Sequence, residues 1–272
     1  MFIACGLKAA DHEHLELAAA VKSSFLSRTN GVARLFSKSV NGTEFERHPK
    51  FWLRGVSGPE AIHVGSGAGA TAVTPWHVLG ANHWKQDVGA HLCFCDAVGN
   101  TVTRTVVAGT EIRSDIKSDI WLAVLDKALP NPIAPLPLMP ADWTNHIGSE
   151  PLLVTAMNQR SEFGLATLVS LQTSASAWFR YGCSYCSSDL APNLVFLPLR
   201  AGDSGRPIMT LFEKNLVLLG HITLEYGYSN FAGPDYSRYA ADIQSAIASL
   251  GTNNIAKTQK LRMVNFTPPY LQ

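Results

Sequence analysis

Between residues 50 and 230 the chain consists of short apolar runs of five to eight residues, separated by Gly, Pro, Asn and Ser. Examples are GATAVT, AHLCFC, IWLAVL, PLLVTAM and LVLLGHITL. Runs of this length at regular spacing, with almost no helical periodicity between them, are typical of an all-β barrel or sandwich. The 272 residues, 46% of them hydrophobic, suffice for one large domain or for two sub-domains that share a core.

Two segments outside this region have helical periodicity. Residues 11–28 are rich in helix-forming residues, and residues 236–250 place apolar side chains at helical spacing before Gly251 ends the pattern. A proline-rich stretch divides the β-region into two halves. We therefore predict a helical extension over 1–48, a first β-unit over 49–128, a linker over 129–143, a second β-unit over 144–235, and a C-terminal helix with an extended tail over 236–272.

Charge and hydropathy argue against several classes of partner. The 22 Lys and Arg residues balance 21 Asp and Glu residues, so the net charge of +1 gives no reason to expect nucleic acid as a partner. The sequence has no long apolar run of the length that spans a membrane. The start, MFIACGLKAADHEH, reaches polar residues too early for a secretory signal. We expect a cytoplasmic protein that needs no cofactor.

Five cysteines are an odd number, which indicates free thiols rather than a disulfide framework. They are Cys5, Cys93, Cys95, Cys183 and Cys186. The CFC and CSYC pairs have a spacing that would allow them to form a zinc site together. Paired thiols in strands are more often buried apolar residues, so the sequence leaves both interpretations open and we assign no metal site.

The stretch LRAGDSGRPIM places Asp203 and Ser204 between two glycines. A plain turn would have this composition, and so would a turn that presents a nucleophilic serine. In the second case Gly202 permits an unusual backbone conformation, and its N–H together with that of Ser204 would form an oxyanion hole.

A serine nucleophile requires a base, and the sequence offers nine histidines. His77 follows the apolar run GATAVT and opens the next turn, which would hold its ring rigidly and leave it exposed. Seven of the others, His83 among them, lack a comparable frame and are interpreted as solvated or packed imidazoles. We therefore predict His77 as the base.

The base needs an orienting carboxylate held at the start of a buried strand. Asp119 comes directly before the apolar run IWLAVL, whereas the competing Asp115 has no such run after it. A buried carboxylate is costly unless it is paired, so Asp119 is expected to have a histidine partner.

Taken together, these elements resemble the chymotrypsin-like serine peptidases over roughly residues 50 to 250. TAVTPWHV is similar to the family's histidine element, SDIWLAVL to its aspartate element, and GDSGRP to its nucleophile turn. LLGHITLEYG resembles the family's substrate-binding strand, and GPDYSRYAADIQSAI resembles the segment that leads into the terminal helix. The separations are 42 residues from His77 to Asp119 and 85 residues from there to Ser204, which is close to the family's spacing.

The resemblance implies a fold of two six-stranded β-barrels and the activity of a serine endopeptidase acting on polypeptides. Ser204 would attack the scissile carbonyl, His77 would act as general base and then general acid, and Asp119 would orient the imidazole. The N–H groups of Gly202 and Ser204 would form the oxyanion hole. The alternative is a silent module of the same fold that binds or scaffolds a partner without turnover.

The chain departs from the secreted members of the family at two places. Val78 follows His77 where they carry a cysteine, and no activation sequence supplies an amino group to pair with Asp203. Arg200 and Arg206 are the basic residues nearest to Asp203 in the sequence.

The resemblance also implies a substrate pocket. Pro198 and Leu199 stand where the family has the base of its primary pocket, and the lack of an acid there disfavours Lys or Arg as the residue before the cut. Thr223 stands where the family's substrate-binding strand carries a Ser or Thr. His221 would recognise Gln or Glu if it faced the pocket, as a histidine does in viral 3C-like proteases, but a shift of one residue would turn it to the other face.

The last residues, PPYLQ, favour a viral polyprotein-processing enzyme acting in the host cytoplasm. Viral main proteases commonly leave Leu-Gln at the ends they generate. On this interpretation Gln272 marks a cleavage site, and the C-terminal tail is a product of the enzyme's own activity. A bacterial cytoplasmic peptidase is the other origin compatible with the sequence.

Overall fold

The computed structural model describes ten segments of the chain: residues 18–19, 21–28, 31–40, 44–113, 117–147, 152–172, 178–182, 200–225, 230–251 and 253–265. Strands dominate these segments, so the prediction of a mostly-β fold is confirmed. An N-terminal antiparallel hairpin pairs β1 (Phe36–Val40) with β2 (Glu44–Arg47). This hairpin lies within residues 1–48, where the sequence predicted only helical structure.

The first large sheet contains five strands in the order β3-β4-β7-β6-β5, all antiparallel. Its members are β3 (Thr71–Thr74), β4 (His77–Ala81), β5 (His91–Cys95), β6 (Thr101–Arg113) and β7 (Lys117–Leu125). β3 and β4 are joined by a tight turn through Pro75 and Trp76. Every residue of both strands is buried, which explains their apolar composition.

The second large sheet contains seven strands in the order β12-β11-β8-β9-β10-β14-β13. Its members are β8 (Leu153–Met157), β9 (Phe163–Gln172), β10 (Trp178–Gly182), β11 (Pro207–Phe212), β12 (Asn215–His221), β13 (Leu224–Glu225) and β14 (Asn230–Pro234). Whether each sheet closes into a six-stranded barrel stays a prediction.

The predicted N-terminal helix falls partly within the described residues, where 18–19 and 21–26 are helical. Its buried face is formed by Ala18, Val21 and Phe25, and the Phe25 ring lies 5.8 Å from that of Trp52 between centroids. Residues 11–17 of the predicted helix lie outside the described residues, and Leu26 is only half-buried.

The C-terminal helix is confirmed. A 3-10 turn (Tyr236–Tyr239) leads into α1 (Ala240–Leu250), which ends at Gly251 as predicted, and a short helix α2 (Asn254–Lys257) follows. Ile243 and Ile247 are fully buried, and α1 packs against β6 and β7 of the first sheet.

The proline-rich stretch between the sheets contacts both of them. Leu136 N–H donates to the Ala72 carbonyl of β3, and Leu138 forms parallel bridges with Leu218 of β12 and with Met263. Buried apolar residues from both sheets therefore form one continuous core. No helix among the residues that the structure describes is long and apolar enough to cross a membrane.

Candidate active site

Asp119 lies near the start of β7, where this strand pairs with β4. Ala81 at the end of β4 is opposite Ile120, so the next residue, Asn82, reaches Asp119 and donates its N–H to the Asp119 carbonyl at 2.8 Å. Asp119 has φ = +56°, in the left-handed region that Asp tolerates better than most residues. The pairing therefore places the Asp119 carboxylate beside the chain that leaves β4.

His83 is the second residue after β4, and it contacts the Asp119 carboxylate twice. Its backbone N–H donates to Asp119 Oδ1 at 2.9 Å, and its ring Nδ1 lies 2.8 Å from Oδ2. Two bonds to the two oxygens of one carboxylate fix the plane of the carboxylate and the orientation of the ring. The His83 side chain is 45% exposed, so a reacting group can reach its other edge.

Ser204 lies in the turn that precedes β11. Its carbonyl accepts the N–H of Gly69 at 3.0 Å, and the N–H of Gly205 donates to the carbonyl of Ile222 at 2.8 Å. Gly205 has φ = +78°, and a Cβ there would lie 2.6 Å from the Gly69 oxygen. A glycine is therefore required, and the turn is held between the segment before β3 and the end of β12.

The three side chains meet at His83. Its Nε2 lies 2.9 Å from Ser204 Oγ, on the edge of the ring opposite Asp119. An ionised carboxylate only accepts hydrogen bonds, so Nδ1 carries the hydrogen and Nε2 accepts the O–H of Ser204. This arrangement is able to withdraw the proton from Ser204 as its oxygen attacks, and to stabilise the imidazolium that forms.

The charge of Asp119 is set by its neighbours. Burial would raise the pKa of this carboxyl group, but the neighbouring His221 ring and the hydrogen bonds from the ring and backbone of His83 outweigh burial and hold the pKa well below its usual range. Asp119 therefore stays ionised throughout the neutral range, as an orienting carboxylate must.

The structure does not bring His77 to Asp119 and Ser204, contrary to the sequence prediction. His77 pairs with Val124, which is five residues and therefore about 16 Å along β7 from Asp119. Its ring is fully buried, Nδ1 lies 2.8 Å from Thr74 Oγ1, and Nε2 has no partner within the described residues. Burial lowers the pKa of His77 to about 4, so the ring is neutral and structural.

The sequence contained a signal for His83 that we did not use. We ended the strand at His77, whereas the chain turns at Pro75 and Trp76 and continues as a second strand through Ala81. A residue just after the end of a buried strand has a fixed backbone and an exposed side chain. His83 is the first histidine after β4. Its separation from Asp119 is 36 residues.

The predicted oxyanion-hole residues lie in the same turn. Gly202 has φ = +100°, a conformation that favours glycine. Within the described part of the chain, neither the N–H of Gly202 nor that of Ser204 donates to a backbone carbonyl.

The Asp203 carboxylate is held by backbone N–H groups, and among the described residues no amino-terminal group takes part. It is 1% exposed, and its two carboxylate oxygens accept the backbone N–H groups of Gln159 at 2.8 Å and of Arg200 at 2.7 Å. Burial raises the pKa of Asp203, and these two N–H donors and the charge of Arg206 oppose that effect. The nucleophile turn is therefore anchored within the chain as it stands.

Arg206 is completely buried beside this turn. Its guanidinium donates to the carbonyls of His63 and Gly65, each at 2.7 Å, and to the carbonyl of Gly67 at 3.3 Å. Burial lowers its pKa to about 10 and Asp203 partly opposes that change, so it remains a cation at neutral pH. Arg206 thus joins the nucleophile turn to the segment that precedes β3.

His221 and Thr223, predicted to contact substrate, are both buried. The His221 ring is 1% exposed; its Nδ1 lies 2.6 Å from the hydroxyl of Tyr236 and its Nε2 lies 3.0 Å from Thr223 Oγ1. The same Nε2 is 3.7 Å from Asp119 Oδ2. The strand register therefore turns the buried His221 ring toward Asp119.

Several predicted residues lie outside the described part of the chain: Pro198, Leu199, Asp115, Cys5, Cys183, Cys186 and Gln272. Cys93 and Cys95 are free thiols, and burial raises the pKa of both. Among the described residues no three His, Cys, Asp or Glu side chains are grouped so that they could hold a metal ion. With half of its ligands undescribed, the zinc hypothesis stays untested.

Comparison with models of protein families finds no match for this chain, and comparison with curated protein sequences finds no similar protein.

Proposed function

We propose that the protein is a serine endopeptidase in which Ser204 is the nucleophile, His83 the general base and Asp119 the carboxylate that orients it. The observation that carries the proposal is the pair of contacts made by one imidazole, 2.8 Å to Asp119 and 2.9 Å to Ser204. Three residues from distant parts of the sequence meet in the order that acyl transfer requires.

The reaction follows from these contacts. Ser204 Oγ attacks the scissile carbonyl carbon as its proton moves to His83 Nε2, and the N–H groups of Gly202 and Ser204 receive the oxyanion. His83 then protonates the leaving amine, which departs and leaves an acyl group on Ser204. Water, deprotonated by the same imidazole, releases the acyl group and restores the enzyme.

In this proposal the two large sheets are the two β-barrels of a chymotrypsin-like fold. Their placement supports it, since His83 and Asp119 come from the five-stranded sheet and Ser204 precedes a strand of the seven-stranded sheet. Processing of a viral polyprotein after Gln or Glu, in the host cytoplasm, belongs to the same proposal. Its recognition of Gln or Glu must then come from residues other than the buried His221.

Cleavage of a diverse peptide library, read by mass spectrometry, tests the proposal. We expect the wild-type protein to cut peptides, with Gln or Glu before the cut, and the Ser204→Ala variant to cut none of them. A wild-type protein that cuts nothing would favour a binding or scaffolding module of the same fold. Equal cutting by both proteins would point to a contaminating peptidase and contradict the proposed site.

A further inference from the structure

A second histidine, His221, lies on the buried side of the three residues Ser204, His83 and Asp119. His221 is at the end of β12, and its Nε2 approaches Asp119 Oδ2 to 3.7 Å, on the carboxylate oxygen that also meets His83. This distance is longer than a normal hydrogen bond, and the nearer partner of Nε2 is Thr223 Oγ1 at 3.0 Å. The His221 ring is therefore close enough to act on Asp119 through its dipole.

The surroundings of His221 select one of its two neutral tautomers. Burial lowers the pKa of His221, so the ring is neutral and has a single N–H. A lone pair on Nε2 would face the carboxylate charge of Asp119, whereas an Nε2–H bond points its positive end at that charge. Nδ1 then accepts the O–H of Tyr236, which satisfies a hydroxyl group that is 2.6 Å away in a fully buried residue.

We propose that His221 is a positioning residue: its Nε2–H, hydrogen-bonded to Thr223 Oγ1, lies beside Asp119 on the core side while Tyr236 holds its other nitrogen, and its dipole so tunes the basicity of His83. A role in catalysis for His221 rests on the proposed function. The groups involved are the rings of Tyr236, His221 and His83 and the carboxylate of Asp119. Among the described residues, Asp119 and His83 are the ionisable groups that act on the pKa of His221, and Asp119 also acts on the pKa of Tyr236.

The sign of the effect follows from the geometry. The positive end of the His221 N–H bond lies beside Asp119 and disfavours a second positive charge on His83. Removing it should therefore stabilise the imidazolium form of His83 and raise the pKa of that ring. A shift of about half a unit to one unit is expected from a single buried dipole at this range.

Two amide variants separate this role from simple packing. In His221→Gln the amide nitrogen stands the same number of bonds from Cβ as ring Nε2, so a donor still faces Asp119. In His221→Asn the amide reaches only to the position of Nδ1, so the contact with Tyr236 is kept and the donor facing Asp119 is lost. Both variants keep a polar group in the same cavity, which makes them matched controls for each other.

The His83 titration midpoint, measured by NMR, reports the effect directly. We expect it to rise by about half a unit to one unit in His221→Asn and to stay within about 0.3 unit of wild type in His221→Gln. Equal midpoints in wild type and His221→Asn would overturn the inference. The same would follow if His221→Gln moved the midpoint as far as His221→Asn.

A second measurement needs no variant. The ¹⁵N shifts of the His221 ring in the wild-type protein identify its protonated nitrogen, and the inference requires this to be Nε2. A hydrogen on Nδ1 alone would refute it. Neither NMR measurement depends on turnover, so a protein that cuts no peptide but gives the expected shifts would contradict the proposed function and leave the positioning role of His221 standing.

Discussion

Replacing His83 with alanine is expected to lower the rate of peptide hydrolysis at least about a thousandfold, because Ser204 then has no group to accept its proton. His77→Asn is the matched control. The Asn amide can keep the contact with Thr74 that ring Nδ1 makes, and the variant should hydrolyse peptides within about threefold of wild type. Initial rates on one library-derived substrate, with circular dichroism to confirm folding, provide the comparison.

This pair of variants distinguishes the structure from the sequence prediction. If His77→Asn were inactive and His83→Ala active, the base would be His77, as the sequence predicted. The contacts at His83 would then have no catalytic meaning. Loss of activity in both variants with intact folding would equally contradict the assignment of His77 as a structural residue.

Replacing Arg206 with methionine should lower the free energy of unfolding by about 3–5 kcal/mol. The guanidinium is fully buried and donates to three backbone carbonyls, which lose their charged donor in the variant. Asp203 also loses the nearby positive charge that favours its ionised form. The loss of stability therefore comes from several buried polar groups that are left without partners, and it exceeds the loss of a single hydrogen bond.

Arg200→Met is the control for this measurement, because the same substitution is made on the other side of the nucleophile turn. Arg200 is exposed, and it binds Asp203 through its backbone N–H, which the substitution retains. Arg200→Met should change the free energy of unfolding by no more than about 0.5 kcal/mol. Urea unfolding of both variants gives the values, and equal stabilities would contradict the anchoring role of Arg206.

The sequence predicted those parts of the site that are set by local patterns. The glycines around Ser204 indicated a tight turn, and the structure requires one of them because Gly205 packs against Gly69. Asp119 was identified because a buried strand follows it. Both inferences depend on residues within a few positions of each other, where turn chemistry and period-two patterns are reliable guides.

Features set by pairing between strands could not be predicted in the same way. The choice between His77 and His83 depends on where β3 ends and β4 begins, and both strands are buried throughout. An apolar run without alternation shows where it turns only through a residue such as Pro75, which the sequence prediction did not take as the turn. The burial of Arg206 depends on three carbonyls about 140 residues away in the sequence, which no local pattern indicates.

The direction of the His221 side chain was one of the alternatives that the sequence analysis left open. A one-residue change of register decides whether its ring faces a substrate pocket or the core. The structure places the ring in the core, with Tyr236 and Thr223 as hydrogen-bond partners. If the protein is the proposed endopeptidase, recognition of the residue before the cut must come from other side chains.

The most direct test of the central claim, that His83 and Asp119 activate Ser204, is covalent labelling with a fluorophosphonate probe. Intact-protein mass spectrometry should show one adduct on the wild-type chain, and peptide mapping should assign it to Ser204. Ser204→Ala should remain unlabelled, and His83→Ala should react at least about a thousandfold more slowly. A wild-type chain that takes up no probe, or an adduct that persists in Ser204→Ala, would contradict the claim.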